Sequence, residues 1–186
     1  RSAIALDGKE PEAWLGLGDS ERGRHRDGEA ELAYQKAFAM PGARDRALAR
    51  LFDLYKGQDP ARALALLDRH GTPAMQAEGK RLKAELLQEQ ADQLDKAGKL
   101  PQALTQLQEA LRLLPDDVWL AYRVAATQAR LGDVAGGERL LRGRLAAQPQ
   151  NDSLRYATAL YLSGQDQSSQ ARAVLAEVPA ARWSAD

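Results

Sequence analysis

The chain has 186 residues, with 26 Lys+Arg balanced by 26 Asp+Glu and no cysteine. A net charge of zero lacks the basic footprint of a nucleic-acid binder, and the absence of cysteine excludes disulfide frameworks, thiolate zinc sites and a cysteine nucleophile. Only 5% of residues are aromatic, the abundance of Ala, Leu, Arg, Gln and Glu favours helix over strand, and no apolar run approaches the ~18 residues that suggest a membrane span.

Taken in chain order, residues 1–6 (Arg-Ser-Ala-Ile-Ala-Leu) lack the order of a signal peptide and read as the end of an amphipathic helix. The chain is therefore expected to be a piece of a longer protein whose targeting signal lies elsewhere. The first full unit carries Trp14, Gly16 and Leu17-Gly18, then Ala30, Tyr34 and Ala37. A more degenerate unit follows with Leu51, Leu54, Ala63 and Leu67, and the step from Ala30 to Ala63 is about 34 residues, a length typical of stacked helix pairs. The next step, Ala63 to Ala103, is longer by nearly two helical turns. The surplus lies around His70-Gly71-Thr72-Pro73, where Thr72 is a candidate N-cap and Pro73 suits the first helical position. From there to Ala97 the pattern predicts one long helix, weakened only at Gly79, since glycine costs about 1 kcal/mol relative to alanine inside a helix. It reads either as an extended or unpaired helix between two sub-arrays, or as a flexion point.

The clearest period follows. Gly98, Ala103, Leu107, Ala110 and Pro115 map, one period on, to Gly132, Gly137, Leu141, Arg144 and Pro149. A third step of the same length takes Gly137 and Leu141 to Ala171 and Leu175. In that last unit the turn glycine, Gly164, comes two residues early, and Pro179 and Trp183 form a short tail. Trp183 either caps the last pair or opens a further repeat.

Each unit reads as two short helices joined at a turn. The small residue opening the second helix (Ala30, Ala63, Ala103, Gly137, Ala171) marks the closest approach, because helix axes about 8–10 Å apart leave little room for a side chain. Pro115 and Pro149 end second helices, and Asp117 and either Asn151 or Asp152 supply the next N-caps. One pair cannot bury its apolar face alone; stacked neighbours bury it jointly. The expectation is an all-α chain, an α-solenoid of about five such pairs in a right-handed superhelix. Residues 1–71 would hold a partial repeat and two pairs. Residues 72–186 would hold the long helix 72–97, pairs to residue 178, and the tail.

The order Trp14, Leu17-Gly18, Ala30, Tyr34, Ala37, together with Leu87, Ala91, Leu94, Gly98, Ala103, Leu107, Ala110 and Pro115, resembles the tetratricopeptide repeat. That resemblance implies a concave groove lined by the first helix of each pair. On the fourth unit's first helix, Trp119, Tyr122, Arg123, Ala126 and Arg130 fall on one stripe, while Ala121, Val124 and Ala125 form a small apolar stripe suited to packing. Trp119 and Tyr122 are thus candidates for a ligand platform, with Arg123 and Arg130 as hydrogen-bond donors to a sugar or a peptide and Tyr156 as an extension. The first reading of Trp119, however, is as filler at the junction with the preceding repeat, since large aromatics there are more often core. The third unit's equivalent residues, Glu85, Gln88, Glu89, Asp92 and Lys96, are mostly acidic, which argues against a clamp for a terminal carboxylate.

No catalytic residues, metal ligands or cofactor site are expected. His25 and His70 lack a partner at ligand spacing, no phosphate-binding glycine loop is present, and no serine has a base at a readable spacing.

Two further stretches narrow the resemblance. Pro115-Asp-Asp-Val-Trp119-Leu-Ala-Tyr-Arg123 with Leu131-Gly132-Asp133 is one. Tyr156-Ala-Thr-Ala-Leu-Tyr161-Leu-Ser-Gly164 with Ala171 and Leu175-Ala-Glu-Val-Pro179 and Trp183 is the other. Together they resemble the periplasmic repeat region of the family of bacterial cellulose synthase operon protein C. What the resemblance implies is a non-catalytic periplasmic scaffold preceding an outer-membrane β-barrel. Such a scaffold would bind protein partners of a cellulose synthase complex, with glucan chain or peptidoglycan as further ligands, no nucleic acid, and no membrane insertion by this segment. The alternative is a generic peptide-binding adaptor or co-chaperone.

Overall fold

A computed structural model describes residues 10–177; the partial repeat at the N-terminus and the tail with Pro179 and Trp183 lie outside the described residues. The described residues form ten α-helices and no strand. They are α1 (Pro11–Gly23), α2 (Asp27–Phe38), α3 (Arg44–Gln58), α4 (Pro60–His70), α5 (Pro73–Lys96), α6 (Leu100–Leu113), α7 (Val118–Arg130), α8 (Val134–Ala147), α9 (Asp152–Gly164) and α10 (Ser168–Ala176).

Local chemistry sets the helix ends. Asp59, Asp117, Asp133 and Asn151 each accept a hydrogen bond from the backbone N–H three residues on, at 2.8–3.1 Å, relieving one of the unpaired donors of a helix start. Asn151, not Asp152, is the cap of α9. The second helices α6 and α8 end at Leu113 and Ala147, just before Pro115 and Pro149.

All the turns inside the pairs except the α3–α4 turn at Asp59 (φ −146°) use a left-handed residue, and Gly98 (φ 71°) and Gly132 (φ 92°) provide it one period apart. The next such position, one period further on, belongs to Asp166 (φ 59°) and not to Gly164, which closes α9. The turn geometry keeps the period even where the glycine does not. His25 (φ 58°) fills the same role between α1 and α2. A side chain in this conformation is strained by about 1–2 kcal/mol, of which glycine's extra chain entropy offsets part. Asp166→Gly should therefore stabilise the C-terminal unit by roughly 0.5–1 kcal/mol. A thermal melt showing a lower midpoint for the variant would contradict this turn assignment.

The chain divides into two compact units, residues 1–83 and 84–186. The boundary falls inside α5, twelve residues beyond the sequence-based break at 71/72. The physical reason is that the first half of α5 packs back on α4 and α3. Gln76 Nε2 donates to the Leu67 carbonyl at 3.0 Å, and Lys56 pairs with Glu78 at 3.2 Å. At Gly79 a Cβ would come within 3.0 Å of Leu67 Cδ1, so the glycine that weakens the helix also admits this contact.

In the N-terminal unit, α1 with α2 and α3 with α4 form consecutive pairs, and α2 packs on α3. Ala30 and Ala63, which begin second helices, are fully buried. Gly18 on α1 receives the ring of Tyr34 from α2, so close that a Cβ would lie 2.2 Å from Tyr34 Cε1. Trp14 is half-buried on α1. The Tyr34 hydroxyl donates to Asp19 Oδ1 at 2.8 Å, and Arg50 Nε of α3 donates to the same oxygen at 2.9 Å. One carboxylate thus ties three helices. Glu31 of α2 accepts from Tyr55 of α3 and Arg62 of α4, and Arg62 lies over the Tyr55 ring, 4.0 Å from its centroid. Arg24 and Arg26 flank the buried carboxylate of Glu21 at 3.5 and 3.3 Å.

These contacts set a pH window. Burial raises the Asp19 and Glu31 carboxyls, but hydrogen bonds outweigh it, from Arg50 and Tyr34 on Asp19 and from Arg62 and Tyr55 on Glu31, and hold both below their ordinary 3.8 and 4.5. A group with a depressed folded pKa contributes stability that is whole above its unfolded pKa and lost as pH falls through the folded value. Burial, then Asp19, pushes Tyr34 up to about 12, from an ordinary 10.0. Its contribution is whole below pH 10.0 and lost as pH rises towards 12. Denaturation midpoints of the N-terminal unit are expected to hold from neutral pH to about 4.5 and then fall, with a shallower fall in Asp19→Asn. A midpoint independent of pH down to roughly 2.5 would contradict this linkage.

In the C-terminal unit, the pairs α7–α8 and α9–α10 stack through α7 on α9 and α8 on α9. Ala84, Ala91, Ala103, Leu107, Ala121, Ala125, Leu141 and Leu162 share one core, joined by Val124 and Tyr161. Ala103 and Ala171 are buried at their helix starts. Gly137 lies where α7, α8 and α9 meet, and a Cβ there would come 2.4 Å from Tyr161 Oη and 2.6 Å from the Ala125 carbonyl oxygen.

Candidate functional site

Helix α7 carries the stripe singled out in the sequence, and its two faces separate by burial. Ala121, Val124 and Ala125 are buried in the core, whereas Trp119 is 49% exposed. Trp119 is therefore no junction filler. Its indole meets the Tyr122 ring one turn along α7, with centroids 6.1 Å apart and planes at 74°. It meets Tyr156 of α9 at the same distance and angle. Edge-to-face contacts at this separation are attractive through the ring quadrupoles. Tyr122 and Tyr156 are one period apart and hold the same position in successive repeats. Tyr156 is 53% exposed, and Leu160, one turn on along α9, is 38% exposed. The structure thus brings Trp119, Tyr122 and Tyr156 into one ridge across two first helices.

Arg123 and Arg130, expected as donors to a ligand, each engage side chains of α5. Arg123 Nη1 donates to Gln88 Oε1 at 3.0 Å, and Nη2 donates to Asp92 Oδ1. Arg130 forms a fork with both oxygens of Asp95, at 2.5 and 2.7 Å. The acidic stripe of α5 and the basic positions of α7 are therefore partners across adjacent repeats. The reason is that successive first helices lie side by side, so opposite charges near one repeat apart come within reach. Asp19–Arg50 and Asp92–Arg123 share a 31-residue separation. The hydrogen bond from Arg130 holds the Asp95 carboxyl below its ordinary value. Beneath these pairs lies a cleft of about 250 Å³ with Ala91, Ala103 and Leu107 as its apolar floor and Tyr122 on its wall.

A second cleft, of about 390 Å³, lies between α9 and α10, bordered by Tyr156, Leu160, Ser163, Ser168, Arg172 and Leu175. Among the described residues no group of three or more His, Cys, Asp or Glu side chains is placed to hold a metal ion. His70 packs edge-on against Phe38 at 5.2 Å, with Arg44 Nη2 3.3 Å from its Nδ1. No described helix is long and apolar enough to cross a membrane.

Sequence reasoning missed Arg155. It is buried on α9, with Nη1 donating to the Val174 carbonyl at 3.2 Å and to Glu177 at 2.8 Å, and Nη2 donating to the Pro149 carbonyl. The available signal was an arginine at the position held by Ala121 one repeat earlier, where the period calls for a core residue.

The chain is similar to cellulose synthase operon protein C of Escherichia coli strain K12, with 32% identity over 138 residues. That match covers 72% of this chain and 12% of the relative. The protein of the same name from Pseudomonas fluorescens SBW25 is 26% identical over 99% of this chain and 15% of its own length. The chain therefore spans about an eighth of the length of the curated relatives it matches. No family model matches. Among solved structures, TTC0263, a thermophilic tetratricopeptide-repeat protein of Thermus thermophilus, is 22% identical, with a TM-score of 0.41 over 90% of this chain and 89% of that one.

Proposed function

We propose, from the similarity to cellulose synthase operon protein C over most of the chain, that this segment is a non-catalytic tetratricopeptide-type scaffold in the assembly of a cellulose synthesis and export complex. It works in the periplasm and docks protein partners of the synthase, with the glucan or the cell wall as a further contact. The paired arginines support this reading over a co-chaperone clamp. Such a clamp needs free cations converging on a terminal carboxylate, and Arg123 and Arg130 are engaged by Gln88, Asp92 and Asp95.

Two measurements test it. Deleting residues 84–177 from the full-length protein that carries this chain is expected to lower cell-surface glucan while isolated inner membranes still synthesise it; unchanged surface glucan would overturn the scaffold role. Compartment is tested separately, because the chain has no native cysteine. A single Arg139→Cys, at an exposed position of α8, should react with a membrane-impermeant maleimide once the outer membrane is opened. Reaction only after inner-membrane lysis would overturn the periplasmic assignment.

A further inference from the structure

We infer that the ridge of Trp119, Tyr122 and Tyr156 is a binding site for a neutral β-linked glucan chain. This rests on the export reading above for the identity of the sugar, and on the site itself for its chemical class.

Large exposed aromatics gathered on one surface mark an interaction site. Here Trp119 and Tyr156 are roughly half exposed, Tyr122 between the helices is partly buried, and the rings are contiguous from α7 to α9. Their charge environment selects the ligand. Stepping along the groove by one period, Glu85, Gln88, Asp92 and Lys96 of α5 become Trp119, Tyr122, Ala126 and Arg130 of α7. These in turn become Ser153, Tyr156, Leu160 and Gly164 of α9. The cations of α7 are held on the α5 side by Asp92 and Asp95. Between α7 and α9 the stripe therefore carries rings, Leu160 and a serine, flanked at the start of α9 by the exposed carboxylate of Asp152, one turn before Tyr156. From the neighbouring α10, Arg172 approaches Tyr156 and Leu160 at the edge of the α9–α10 cleft, with its Nε donating to the Ser168 carbonyl at 3.4 Å.

An anionic polymer would find Arg172 at one margin and Asp152 to repel it at the other, and a basic segment would find Asp152 with Arg172 opposing it. A neutral sugar chain needs neither. Its C–H faces lie against aromatic rings, and its hydroxyls meet the two tyrosine hydroxyls and the polar groups at the margin, the usual division in ligand sites between apolar surface and a few placed polar groups. Neighbouring helix axes lie about 8–10 Å apart, so a ridge crossing two of them suits an extended chain of several sugar rings better than one monosaccharide.

The test uses the full 186-residue chain. Of its three tryptophans, Trp14 and Trp183 are replaced by phenylalanine so that Trp119 alone reports. Titration with cellohexaose should give a saturable fluorescence change, and calorimetry on the otherwise wild-type chain should give the same affinity. Trp119→Ala and Tyr156→Ala should each weaken binding at least about tenfold with unchanged circular-dichroism melts, and maltohexaose should not compete. Any of four results would overturn the proposal: no saturable response in either assay, equal binding of maltohexaose, undiminished binding in Trp119→Ala, or saturation by a lysine-rich peptide in place of the sugar. A chain with no glucan affinity whose deletion still lowers surface glucan would refute this site alone. A chain that binds glucan yet is dispensable for surface glucan would refute the scaffold role alone.

Discussion

Replacing Gly137 by alanine is expected to destabilise the C-terminal unit by about 2 kcal/mol, although alanine is the better helix former. The added Cβ would sit 2.4 Å from Tyr161 Oη and 2.6 Å from the Ala125 carbonyl oxygen. The hydroxyl is itself engaged, donating to the Val134 carbonyl at 2.6 Å, and the Ala125 oxygen is backbone of α7. Relief therefore requires α8 to move off its partner, which opens the Leu141 contact beneath. At roughly 2–4 °C per kcal/mol for a chain of this size, the melting midpoint should fall by several degrees. Gly143 supplies the internal control. It lies on the same helix, with nothing within 4 Å of an added Cβ, so Gly143→Ala should stabilise by up to about 1 kcal/mol through helix propensity alone. Two equal substitutions six residues apart thus have opposite signs. If both raised the midpoint, the close approach of α7 and α8 at Gly137 would be wrong.

Arg155→Met should cost about 2–3 kcal/mol, and the loss should concentrate in α10. Methionine keeps most of the apolar stem but removes the guanidinium that joins the Pro149 carbonyl, the Val174 carbonyl and Glu177. Two carbonyls then lose a charged donor. Glu177 is 67% exposed, so it returns to water without a buried-charge penalty, and the cost stays below the ~3–5 kcal/mol of breaking a fully buried pair. Amide hydrogen exchange should show residues 168–176 losing protection first. Retained protection of α10 with an unchanged melt would show that Arg155 is not the tie between α10 and the α8–α9 loop.

Both predictions concern features that sequence conveys to different degrees. Gly137 was legible as one of a series of small residues one period apart, because two helices can touch closely only where a side chain is missing, and every repeat must solve that problem alike. Arg155 broke the series and was passed over, since nothing local reveals that three acceptors from later and earlier segments converge on it. The aromatic stripe was legible as spacing, yet burial of Trp119 was not. Whether a tryptophan fills a junction or stands in a groove depends on the neighbouring repeat, and α9 leaves it exposed against Tyr156. Arg123 and Arg130 read as free donors because a single helix does not show the acidic helix beside it.

By itself the sequence determined the all-helical pairing, the proline stops, the Asp117 cap and the regular beat of the repeat, all set by short-range backbone chemistry and by steric rules that recur. The tertiary structure decided which charges cancel, that Asp166 takes a glycine's left-handed turn, that the compact units divide at residues 83 and 84, and that three rings meet in one ridge with Trp119 and Tyr156 exposed. These depend on which side chains from distant positions meet, and that is settled only when neighbouring repeats stack.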